Sequence, residues 1–128
     1  MARIRVQDGN LIVEMEGLGE KLMALRSELR LPVEHITGVR ANPPELLDET
    51  FIARVFGASL SETHIGYFWK KGDGMVFIDI DHLHGKNKIV AIDLRDERLK
   101  HLYVEPSDES AVEAHARLEA ELKLAPAN

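Results

Sequence analysis

The sequence predicts a mainly β fold of the α+β class, finished by a C-terminal amphipathic helix. Two observations carry this. Short runs alternate apolar and polar residues with period two and are separated by turn residues. After Pro106 the period becomes helical, with Ala111, Val112, His115, Leu118 and Leu122 on one stripe. At 128 residues the chain reads as a single domain over 1–128, long enough to bury a real core.

The first element is a hairpin. Ile4 and Val6 alternate with Arg3 and Arg5, Asp8-Gly9-Asn10 supplies the turn, and Leu11, Val13 and Met15 alternate with Ile12, Glu14 and Glu16. Leu18, Leu22, Leu25 and Leu29 then recur at helical spacing, predicting a short helix near 18–29. Leu29 and Leu31 alternate into Pro32 and open an extended stretch. Over 42–57 the reading divides. Asn42 before Pro43-Pro44 resembles a helix start, with Leu47, Phe51 and Val55 at helical spacing, and an irregular loop is the alternative.

The second half is a series of strands. "THIGYFWKKGDGMVFIDID" reads as a hairpin about Lys71–Gly74, with Val76, Ile78 and Ile80 facing a core and Phe77, Asp79 and Asp81 facing away. "KIVAIDL" and "HLYVEP" supply two further strands, through Val90, Ile92 and Leu94 and through Leu102 and Val104. The expected architecture is an antiparallel meander of about seven strands, curled into a small barrel or sandwich. Ser107-Asp108-Glu109 is read as the cap and first-turn acids of the final helix, about 108–124.

Composition excludes several function classes. The net charge of −6, from 16 basic and 22 acidic residues, opposes a generic nucleic-acid or anionic-membrane surface. The absence of cysteine removes disulfides, zinc–thiolate sites, iron–sulfur clusters and thiol nucleophiles. No run approaches the roughly 18 apolar residues of a membrane span, and "MARIRVQDGNL" lacks the apolar core of a signal peptide, so a cytoplasmic location is expected.

Three stretches carry a family resemblance. "LRLPVEHITGVRA" (Leu29 to Ala41), "GASLSETHIGYFWKKGDGMVFIDI" and "KIVAIDLRDERLKHLYVEPSD" resemble the small bacterial pleckstrin-homology-like (PH-like) proteins of unknown function. The resemblance spans most of the chain and implies a PH-like barrel with a capping helix. It brings no catalytic motif, and Asn42 to Arg54 fits it least. Phosphoinositide binding by pleckstrin-homology domains often uses basic residues at the first hairpin loop. Asp8-Gly9-Asn10 has no cation, so that function is not carried over.

The chemistry-bearing candidates concentrate in Asp79-Ile80-Asp81-His82-Leu83-His84. Asp81, His82 and His84 form the metal-ligand candidate, since H-x-H puts two imidazoles on one side of an extended strand, though a third ligand is needed. Asp79 and Asp81 would stand about 7 Å apart on one strand face, a spacing open to acid–base work. Solvated hairpin decoration is the simpler account of both patterns and is the one adopted. Ser59 and Ser61 near His64 lack a nucleophile elbow, and Lys70, Lys71, Lys86 and Lys88 read as strand-edge charges. Phe68, Trp69, Phe77 and Tyr103 are the interaction candidates, as aromatics presented on a sheet. The expected function is a non-catalytic binding or self-assembly module without a cofactor, taking a protein, a peptide or a second copy. The alternative is a small-molecule or metal-dependent enzyme at Asp79–His84.

Overall fold

The computed structural model describes residues 1–17, 27–48, 51, 62–70 and 74–123. Among the described residues, eight strands form two sheets. The first has the order β1 (Ala2–Gln7), β2 (Asn10–Met15), β3 (Glu28–Pro32). The second contains β4 (Ile36–Ala41), β5 (His64–Lys70), β6 (Gly74–Ile80), β7 (Val90–Leu94) and β8 (Leu99–Val104), in the order β4-β7-β8-β6-β5. Helix α1 (Ala111–Leu122) follows β8. The chain is α+β and mainly β, as expected. Among the described residues the sheets do not close into a barrel; they meet at a bridge between Ala2 and Pro106. No described helix is long and apolar enough to cross a membrane.

Local chemistry explains the first hairpin. Asp8 and Gly9 both take positive φ, 52° and 77°, the geometry of a tight two-residue turn. The turn sets Gln7 opposite Asn10 and Val6 opposite Leu11, which puts Ile4, Leu11, Val13 and Met15 into the core. Ile12 faces the other way yet is also fully buried, flanked across the ladder by Arg5 and Arg30. The helix expected near 18–29 meets β3 at its end, since Glu28 and Leu29 are strand; residues 18–26 lie outside the described chain. The start of the 42–57 stretch is a 3-10 turn, Pro44–Leu47, which buries Leu46 and leaves Leu47 86% exposed. Most of the remainder of that stretch lies outside the described residues.

The second sheet departs from a meander. The connection 81–89 passes over one strand position, and β8 fills the slot, pairing antiparallel with β7 and parallel with β6. This makes β6 and β8 central, with both faces covered. One face joins the first sheet and α1 in a core of Leu11, Val13, Phe77, Ile92, Leu102 and Leu118. The other carries a second core of Leu46, Phe51, Val76, Ile78, Ile80 and Tyr103. The expectation that Phe77 and Asp79 face solvent is therefore corrected: both are fully buried. A strand buried on both faces has no wet side for alternation to mark.

Helix α1 starts three residues into the expected 108–124. Its cap is Ser110, not Ser107. The Ser110 hydroxyl accepts from the Glu113 N–H, and the Glu113 carboxylate accepts from the Ser110 N–H, a complete capping box. Ser107 instead donates its hydroxyl to Glu16. The buried stripe is Ala111, Ala114 and Leu118, while Val112 is exposed and His115 pairs with Glu119 at 3.0 Å.

Candidate functional site

Among the described residues, two charged clusters and one aromatic edge gather the groups best suited to chemistry or binding. The first cluster contains the residues singled out from sequence. At the end of β6, Asp79 is buried with Oδ1 2.8 Å from the Met1 amino group, and Asp81 Oδ2 lies 3.1 Å from the same nitrogen. The second oxygen of Asp79 is buried with no hydrogen-bond partner. Glu105, just past β8, organises the turn that follows. Its Oε1 accepts from the N–H groups of Asp81 and His82, at 3.1 and 2.7 Å, and its Oε2 lies 2.8 Å from His82 Nδ1. His84 turns to Glu62, with Nε2 3.9 Å from Oε1. Among the described residues no group of three or more His, Asp or Glu side chains converges to hold a metal. Asp81, His82 and His84 are close in sequence, but the two imidazoles are directed to different carboxylates.

An open cleft of about 490 Å³ lies beside this cluster, lined by His82, Lys86, Lys88, Glu105 and Ser110 among others. The start of α1 borders it, but its N–H groups are already used. Ala111 donates to the Asn87 carbonyl, Val112 to Asn87 Oδ1 and Glu113 to Ser110 Oγ. An anion arriving here would meet donors already engaged and the Glu105 and Glu109 side chains nearby.

The second cluster was not read from the sequence. It sits on the face of the second sheet that carries the second core. Arg40 of β4 grips Asp93 of β7 with Nε and Nη2, both at 2.9 Å, and grips Glu45 of the 3-10 turn with Nη1 and Nη2, both at 2.8 Å. Tyr103 of β8 donates its hydroxyl to Glu45 at 2.9 Å, and His101 Nδ1 lies 2.7 Å from Asp93 Oδ1. The hydrogen bonds from Arg40 to Glu45 and Asp93 raise the guanidinium pKa, against the opposing effect of burial. Burial pushes the Glu45 and Asp93 carboxyls up, but the hydrogen bonds they accept outweigh it. Arg40 leads for Glu45 and His101 for Asp93, and both settle below the usual carboxylate range. Tyr103 is raised, first by burial and then by the Glu45 charge. The arrangement ties the Pro44–Leu47 turn to three strands and spends its charges internally.

A partial signal for this cluster was present. Asp93 shares a strand face with Ala91, and His101 shares one with Tyr103, so period two groups them. The neighbouring position of Arg40 depends on β4 pairing with β7 across some fifty intervening residues, which no local pattern encodes.

The aromatic candidates separate cleanly. Trp69, on β5, is 67% exposed. Phe68 is half-buried against the second core. Phe77 and Tyr103 are not presented to solvent: Phe77 is buried against Tyr67, ring centroids 5.4 Å apart, and Tyr103 against Phe51 at 6.1 Å. They belong to the core.

Comparison of the chain with protein-family models, with curated proteins and with solved structures finds no match.

Proposed function

We propose that this protein is a non-catalytic binding or self-assembly module that docks a protein chain, either a peptide or a second copy. The observation that carries the reading is Trp69. An indole that is 67% exposed on a strand, when the other sheet aromatics are buried or half-buried, is a ready anchor for a partner surface. The charged groups of the second cluster support the same reading, since Arg40, Glu45, Asp93 and Tyr103 are engaged with one another. The net charge of −6 favours a protein partner over a nucleic acid.

The test is native mass spectrometry and sedimentation of the purified protein and of Trp69→Ser, alongside thermal unfolding of each. The expected result is association by the wild type that Trp69→Ser weakens at unchanged melting temperature. Unchanged association, or a large drop in stability, would make Trp69 part of the fold and remove the main support.

A further inference from the structure

We infer that strand β3 is a self-pairing edge: it adds antiparallel to β3 of a second copy, with Glu28 opposite Arg30 in both directions. This rests on the assembly reading above and names its partner and surface.

The backbone sets which groups are available. Met15 N–H donates to Ser27 O at 3.0 Å, and Val33 N–H donates to Gly9 O at 3.0 Å. In an antiparallel ladder, residues that exchange main-chain bonds with the partner strand alternate with residues that turn theirs away. Ser27, Leu29, Leu31 and Val33 therefore face β2, and Glu28, Arg30 and Pro32 present N–H and C=O groups on the opposite edge. Among the described residues no strand pairs along that edge. The other edge of the same sheet is occupied over its first half, where Ala2 exchanges bonds with Glu105 and Ser107 and Ile4 O accepts from Arg117 at 2.7 Å.

Charge then selects the occupant and the register. Outward residues must face outward residues, so a two-fold pairing is centred on a residue of β3. Centring on Glu28 sets carboxylate against carboxylate, and centring on Arg30 sets guanidinium against guanidinium; both are unfavourable. Centring on Leu31 places Arg30 opposite Pro32, which has no N–H to give. Centring on Leu29 sets Glu28 opposite Arg30 twice, lets each pair exchange N–H and C=O, and leaves Pro32 outside the paired span. The two side chains share the outer face of the sheet, where Arg30 Nε already lies 2.7 Å from its own Glu28. Leu29 and Leu31 stay in the core. A copy of this strand is thus complementary to itself in one register. The paired span is short and Pro32 ends it, so the association is reversible and concentration-dependent.

The experiment is sedimentation over a concentration series for wild type, Glu28→Arg, Arg30→Glu and the double swap. Arg30 is exposed and Glu28 partly so, and folding of each variant is checked by melting temperature. The wild type should dimerise. Each single swap should weaken the dimer about tenfold, by replacing two attractive pairs with like charges, and the double swap should restore it. An equimolar mixture of the two single variants should form a heterodimer, because all-basic and all-acidic edges then meet. A monomeric wild type overturns the inference, as does a dimer indifferent to both single swaps. The two readings separate here: a dimer indifferent to the charge swaps but lost in Trp69→Ser sinks the β3 edge and keeps the assembly module. A chain that is monomeric and binds nothing sinks both.

Discussion

Strands β1 and β3 are the two edges of one small sheet, and they are finished in opposite ways. Along β1 the main chain is answered by its own molecule, through Glu105, Ser107 and the Arg117 guanidinium of α1. Along β3 the outward groups of Glu28 and Arg30 meet no partner strand among the described residues, and the strand ends at Pro32. Open strand edges invite pairing with other chains, and proteins usually blunt them. Among the described residues, the start of β1 is held by the Glu105–Ser107 segment and Arg117, while β3 meets no strand, so the two edges differ in how open they are to a further strand.

The comparison breaks first if α1 does not hold β1 in place. Leu118 is fully buried between the helix and the first core, so Leu118→Ala should cost about 3 kcal/mol in urea unfolding. A loss below about 1 kcal/mol would mean the helix packs loosely and closes nothing. Next is the second sheet, whose edge strand β4 is restrained by side chains. Arg40→Ala leaves Glu45 and Asp93 without their cation and should cost about 2 kcal/mol, less than for a fully buried pair because Arg40 is 37% exposed.

The same network gives a pH dependence whose sign follows from its carboxylates. Glu45 and Asp93 have folded pKa values below the ordinary ones. Their contribution is therefore present above the usual carboxylate pKa of about 4 and is lost as the pH falls through the lower folded values. Acid titration monitored by circular dichroism should show the wild type losing more stability than Arg40→Ala over that window; equal losses would remove the network from the account. The smallest expected effect sharpens the edge comparison directly. Arg117→Ala frees the Ile4 carbonyl and leaves Glu109 unpaired, at about 1 kcal/mol. In sedimentation, that variant should self-associate slightly more than the wild type, because the Ile4 carbonyl on the β1 edge is then uncovered while Ala2 stays bonded to Glu105 and Ser107.

How much of this was legible depends on distance along the chain. The Asp8-Gly9 turn was readable because those residues tolerate positive φ, and it fixes the hairpin register by itself. The capping box was also present as Ser110 and Glu113 at the right spacing, although the earlier Ser107-Asp108-Glu109 run drew the helix start toward itself. The insertion of β8 between β7 and β6 was not readable, because strand order is set by pairings with no local signature. Its consequence was the misplacement of Phe77 and Asp79, which alternation put on a wet face that β6 does not have there. The Asp79–His84 stretch looked like chemistry because its polar residues are adjacent. In the fold, Glu105, two dozen residues downstream, takes His82 and the turn backbone. The edge character of β3 was half visible: Leu29 and Leu31 marked the inward face and Pro32 the end, while the free side required the pairing with β2.

Residue-resolved amide hydrogen exchange at several protein concentrations tests the open β3 edge most directly. The account expects the Glu28 and Arg30 amides to exchange fast in dilute solution and to slow as concentration rises, while those of Leu29 and Leu31 stay protected throughout. If the Glu28 and Arg30 amides are as slow as their neighbours at every concentration, the edge is already occupied within one chain, and β1 and β3 do not differ.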